Sequence, residues 1–257
     1  MPFLEINNAR VHMRDLNPEG AVPVIMIHGL YSSLAIYYFT IAPLLTSRYR
    51  VVLYDLRGHG ESERQEGDYT PATLSEDLLA LMDALEIPQA HIVAYSYGAT
   101  AALHTVLHHP ERVLRLALIE AMFLDEAVLG VDGKNNKEGI AAVFEQNFSD
   151  YISTVGLSPN GAQAEKIRVL DQHFRQEDRL MATLFSNREL RREAPLESLT
   201  LPTLLLYGIQ SPYLATGRAL ASRLASARLH VTLGNHNIPV NRGKWIARQL
   251  RNFFDAG

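Results

Sequence analysis

Short apolar runs that alternate with amphipathic stretches constrain this chain more than any other feature. Residues 24–27, 51–54, 92–94, 114–119, 203–207 and 228–233 are runs of strand length, closed in turn by His28-Gly29, Asp55, Gly208 and Gly234 at four of them. Apolar runs without alternation predict strands covered on both faces, as in a parallel sheet. Between them, Leu74, Leu78, Leu81, Met82 and Leu85 fall on one face of a helix, and Thr70-Pro71 supplies an N-cap followed by proline at the first helical position. A last helix is predicted over about residues 242–254, with Ile246, Leu250 and Phe253 on one face. Residues 3–14 read as a pair of antiparallel strands. Strand–helix alternation of this kind implies a three-layer α/β fold with a mostly parallel sheet.

The rhythm breaks between residues 122 and 198. Ile140, Val143, Phe144, Phe148, Tyr151 and Ile152 are helically spaced, as are Leu180, Met181, Leu184 and Phe185, while residues 130–139 form a polar loop. This predicts a core made of residues 1–121 and 199–257, with residues 122–198 inserted as a helical lid.

Composition narrows the function. The chain has 257 residues, 24 Lys and Arg against 28 Asp and Glu, and no cysteine. A net charge of −4 offers no basic surface for nucleic acid or an anionic membrane. The absence of cysteine excludes disulfides, thiolate metal sites and a cysteine nucleophile. The N-terminus lacks a signal-peptide pattern, and no apolar run approaches the ~18 residues of a membrane span. A soluble, cytoplasmic protein is expected.

The strongest motif is Ala94-Tyr95-Ser96-Tyr97-Gly98, between a strand and the small-residue helix opened by Ala99, Ala101 and Ala102. A serine on so tight a strand-to-helix turn is held in a strained backbone conformation, with its hydroxyl above the carboxyl ends of the strands. Small neighbours are required because helix and strand nearly touch. The usual pattern is G-x-S-x-G, and Ala94 replaces its first glycine.

With these residues the chain resembles the α/β-hydrolase superfamily over nearly its whole length. His28-Gly29 resembles the oxyanion-loop motif, residues 55–62 (DLRGHGES) the D-x-R-G-x-G-x-S segment, and residues 110–113 (PERV) the P-x-R-V before the sixth strand. Gly234-Asn235-His236 stands where that family keeps its catalytic histidine, with one extra residue. The resemblance implies Ser96 as nucleophile, His236 as its base, and the backbone N–H groups of Tyr97 and Leu30 as the oxyanion hole. No cofactor and no metal are implied.

The acid is displaced. The superfamily most often carries an aspartate just after strand seven, where this chain has Ser211, and no Asp or Glu occurs between Glu197 and Asp255. Glu120 ends the sixth strand instead. Neighbouring strands are only about 4.8 Å apart, so an acid one strand over still reaches the same histidine. Ile119-Glu120-Ala121 is similar to the segment in which some haloalkane dehalogenases place a glutamate, although their nucleophile is an aspartate. Asp125, Glu126 or a Ser–His dyad without an acid are the alternatives.

Asp55 and His59 read as parts of a structural loop, and the i, i+4 pair His104 and His108 lacks a third metal ligand. Tyr31, Tyr95, Phe123, Phe144 and Phe148 are the candidate lining of an apolar substrate pocket. The expected activity is hydrolysis of a carboxylic ester, thioester or lactone with an apolar portion. A C–C bond hydrolase, a cyclase-like biosynthetic enzyme and a non-catalytic receptor on the same fold remain open. The expected partner is a small molecule, and oligomeric state stays unassigned.

Overall fold

The computed structural model describes residues 2–64, 69–122, 161–162, 165, 167–169 and 196–256. Eight strands form one sheet: β1 (Phe3–Ile6), β2 (Ala9–Leu16), β3 (Pro23–Ile27), β4 (Arg50–Tyr54), β5 (Ala90–Tyr95), β6 (Val113–Ile119), β7 (Thr203–Gly208) and β8 (Ala227–Thr232). Their order is β1-β2-β4-β3-β5-β6-β7-β8. The first two strands pair antiparallel with each other, and β2 pairs antiparallel with β4; every later pairing is parallel.

Period-two alternation along the buried strands divides their side chains between two core layers. Ile25, Ile27, Ile92, Ala94, Leu116 and Leu118 pack on one face with Leu74, Leu78 and Leu81 of helix α2 (Pro71–Ala84), which follows the short α1 (Ala35–Tyr38) in the chain, and with Ala101, Ala102 and Leu103 of α3 (Gly98–His108). Val24, Met26, Leu53, Val93, Ala117 and Leu206 pack on the other with Ile246, Leu250 and Phe253 of the last helix, Gly243–Asp255. The apolar runs are continuous because both faces need apolar residues. Strand β8 departs from that expectation: none of its residues is buried, and the consecutive His230 and Val231 are both exposed. As the sheet edge, it has a neighbour on one side only.

Thr70 caps α2, its side chain accepting from the Thr73 N–H at 3.3 Å. Most of the expected lid over residues 122–198 lies outside the described residues. Among the described residues, no helix is long and apolar enough to cross a membrane.

Candidate active site

Three parallel neighbours, β5, β6 and β7, end side by side. Register pairs Tyr95 with Ile119 and Ile119 with Leu206, so the residues that follow each strand emerge at one edge of the sheet. Ser96 follows β5 with φ +52°, and Glu120 follows β6 with the same value. Left-handed backbone costs a non-glycine residue on the order of 1–3 kcal/mol and persists only where its surroundings impose it. Here each residue is fastened to the next strand: the Ser96 N–H donates to Ile119 O and the Glu120 N–H to Leu206 O, both at 2.9 Å. The bend turns each side chain away from the strand direction.

Close packing enforces the first bend. A Cβ on Gly98 would lie 2.4 Å from the His28 carbonyl oxygen, and one on Gly29 would lie 2.9 Å from Ser96 Cβ. Ala94 is fully buried in the strand, where its methyl group is accommodated.

Ser96 Oγ lies 3.0 Å from His236 Nε2, and His236 Nδ1 lies 3.2 Å from Glu120 Oε2. The carboxylate of Glu120 is completely buried. Gly208 N–H donates to its Oε1 at 2.5 Å, and the Ser211 hydroxyl donates to its Oε2. Three donors therefore surround one carboxylate, which is what a buried charge without a cationic side chain requires. Ser211 Oγ accepts from the Tyr213 N–H at 3.0 Å, so the hydroxyl proton points to Glu120.

The imidazole of His236 is held between two rings. Tyr95 stacks on it at 5.0 Å and 29°, and Tyr213 meets it edge-on at 4.8 Å and 64°. The Tyr95 hydroxyl also donates to the His236 carbonyl at 3.1 Å. Tyr95, expected in a pocket wall, is thus buried against His236.

Asp55 sits apart from this group. Its Oδ1 accepts from the Leu34 N–H at 2.7 Å, and its Oδ2 faces His12 Nδ1 at 2.7 Å and accepts from the Glu61 N–H at 2.9 Å. It ties three segments together as a loop anchor. His28 Nε2 accepts from the Leu56 N–H at 3.0 Å, which leaves its Nδ1 to donate to the Gly29 carbonyl at 2.7 Å. Burial holds the His28 ring below the usual histidine range, against the opposing pull of Asp55.

The structure brings Ser96, His236 and Glu120 together and places Tyr97 at the mouth of α3, one residue past the serine. Leu30 is half-buried and packs on the core beside Gly29. Tyr31, with φ +61°, lines a cavity of about 400 Å³ with Ser32, Leu34 and Asp55. Phe123, Phe144 and Phe148 lie outside the described residues. Sequence reasoning missed the donation of Ser211 to Glu120. The signal was present: a hydroxyl stands where an acid was expected, one strand from the acid that replaces it. Among the described residues, no group of three or more His, Cys, Asp or Glu is placed to hold a metal ion.

A family profile for the alpha/beta hydrolase fold matches residues 22–203. A protein from Caulobacter sp. (strain K31) named as carbamate hydrolase RutD is 30% identical over 223 residues, covering 82% of this chain and 83% of that one. The dihydrolipoyllysine-residue acetyltransferase component of an acetoin cleaving system from Pseudomonas putida is 37% identical over 128 residues; the match spans 49% of this chain and only 34% of that protein's length. Among solved structures, a hydrolase from Pseudomonas aeruginosa PA01 superposes with a TM-score of 0.71 at 27% identity, covering 99% of this chain and 98% of the other. The chain belongs to the alpha/beta-hydrolase fold family. It is an enzyme, a hydrolase of that fold.

Proposed function

We propose that this chain is a serine hydrolase that cleaves a carboxylic ester, thioester or lactone with an apolar portion through an acyl-enzyme on Ser96. The observation that carries the reading is the continuous relay from Ser96 Oγ through His236 to Glu120, at 3.0 and 3.2 Å. A serine hydroxyl is a weak nucleophile until a base takes its proton, and His236 Nε2 is within hydrogen-bond reach of it.

Ser96 Oγ attacks the carbonyl carbon while its proton passes to His236 Nε2. The carbonyl oxygen becomes an oxyanion and accepts from the N–H groups of Tyr97 and Leu30. Tyr97 is the N-cap of α3, so its N–H lies at the positive end of that helix's dipole. Glu120 holds the Nδ1–H tautomer and stabilises the imidazolium. His236 then returns the proton to the leaving oxygen or sulfur, and the acyl group stays on Ser96. A water gives its proton to His236 and attacks the acyl carbon, releasing the acid and regenerating the serine. The side chains named supply every proton transfer in this sequence. A carbamate carbonyl, the group in the Caulobacter relative's name, is open to the same attack.

A fluorophosphonate probe tests the reading, together with turnover of p-nitrophenyl esters. Labelling confined to Ser96, lost in Ser96→Ala and strongly slowed in His236→Ala, is expected. A wild-type protein that neither labels nor turns over any ester sinks the proposal.

A further inference from the structure

The imidazole of His236 is held at its two ring nitrogens, by Ser96 Oγ at 3.0 Å and by Glu120 Oε2 at 3.2 Å. The lone pair and the N–H of an imidazole both lie in the ring plane. These two contacts therefore oppose sliding within that plane and do little against a tilt about the line that joins them. Packing on the ring has to oppose the tilt.

Tyr95 supplies that packing. Its ring lies along the imidazole, with 5.0 Å between centroids and 29° between planes. The residue is 3% exposed and is fixed from three directions. Its backbone closes β5 in register with Ile119. Its hydroxyl donates to the His236 carbonyl at 3.1 Å, so one side chain grips both the ring and the backbone of the histidine. Its ring edge abuts the oxyanion loop, where a Cβ on Gly29 would lie 3.1 Å from Tyr95 Cδ1. Tyr213 adds a second ring, 4.8 Å from the imidazole and at 64° to it.

The contact is also electrostatic. In the mechanism above, His236 gains a positive charge when it takes the Ser96 proton. The face of a tyrosine ring is negative and attracts a cation within about 6 Å of its centroid. The separation of 5.0 Å falls inside that range, and both rings are buried, so water does little to screen the attraction. The attraction grows as the charge forms. It therefore acts on the barrier and leaves substrate binding unchanged. Glu120 meets the new charge at the edge of the imidazole, and Tyr95 meets it at the face.

We propose that Tyr95 is a positioning residue for hydrolysis, whose ring holds the His236 imidazole toward Ser96 and stabilises the imidazolium. The inference rests on the Ser96 hydrolase reading and adds to it a residue that acts through His236.

The test measures p-nitrophenyl ester turnover by the wild-type protein, Tyr95→Phe, Tyr95→Leu and a protein carrying pentafluorophenylalanine at position 95, each shown to be folded by its thermal transition. Tyr95→Phe keeps the ring and loses only the hydroxyl, so its kcat is expected to stay within about threefold of wild type. Tyr95→Leu removes the ring, and kcat is expected to fall about tenfold or more while KM stays within about twofold. The fluorinated ring keeps the stack and reverses the charge on its face, so its kcat is expected to fall about tenfold below that of Tyr95→Phe. A role in packing alone would leave those two aromatic variants equal, and that result overturns the proposal even where Tyr95→Leu does not fold. A folded Tyr95→Leu with kcat within about threefold of wild type also overturns it, as does a Tyr95→Phe that falls as far as Tyr95→Leu. Failure of the hydrolase reading looks different and takes this inference with it: the wild-type protein itself would turn over no ester and would leave Ser96 unlabelled by fluorophosphonate.

Discussion

Replacing Glu120 with glutamine keeps the shape of the side chain and removes its charge. In the wild-type site the carboxylate accepts from Gly208 N–H at 2.5 Å, from the Ser211 hydroxyl and from His236 Nδ1 at 3.2 Å. A carboxamide has one oxygen and one NH₂ group. With the oxygen toward Gly208, the NH₂ faces Ser211 and His236. The imidazole then takes the other tautomer, its Nε2 carries the proton, and it no longer accepts one from Ser96. With the amide reversed, the NH₂ meets the Gly208 N–H donor to donor, and burial denies either group a water. Both arrangements remove the base or displace the acid's support. The expected loss in kcat is about 10³–10⁴-fold, or about 4–5.5 kcal/mol in the barrier at 1.36 kcal/mol per tenfold. The assay is p-nitrophenyl ester turnover with fluorophosphonate labelling of Ser96, on protein shown to be folded by thermal melting. Turnover within threefold of wild type, with Ser96 still the labelled residue, would refute the assignment of Glu120.

The same geometry makes Ser211 a positioning residue: Ser211→Ala should lower kcat by about 10–100-fold with KM little changed, the worth of a hydrogen bond to a charged group, and Ser211→Thr should restore most of it. Gly98→Ala forces a methyl group against the His28 carbonyl, so a destabilisation of about 1–3 kcal/mol in urea unfolding and a loss of Ser96 labelling are expected. Leu78→Ala, at a fully buried position in the α2 layer, should cost about 2–5 kcal/mol in the same measurement. Stability should also fall in acid. The pKa of His59 is pushed down to about 3 and that of His91 to about 4, chiefly by burial, so the unfolded chain binds protons below pH 6.5 that the native state refuses. Each group then costs about 1.36 kcal/mol per pH unit, or about 2 kcal/mol at pH 5. Urea midpoints measured from pH 7 to pH 4 should show the decline, and His91→Phe should flatten part of it; a midpoint independent of pH over that range would refute this account.

Much of the fold was legible in the sequence because its causes are local. A residue buried on both faces must be apolar, so the central strands announce themselves as unbroken apolar runs, and Thr70-Pro71 announces the start of α2. The edge position of β8 was not legible, because no local pattern says which strand lacks a neighbour. Tyr95 shows the same limit: an aromatic residue beside a nucleophile reads equally as pocket wall or packing, and only the fold lays it flat on His236.

The sequence by itself determined the serine turn, since Ser96, Gly98 and the small residues after them dictate a bend through their own backbone and the lack of side chains. It also determined, by elimination, that no acid follows β7. Which carboxylate comes within hydrogen-bond reach of His236 was decided only by tertiary structure. Ser96, Glu120, Ser211 and His236 are far apart along the chain and meet because β5, β6 and β7 are adjacent and in register. That adjacency is set by the packing of helices on both faces of the sheet, and no local residue pattern encodes it.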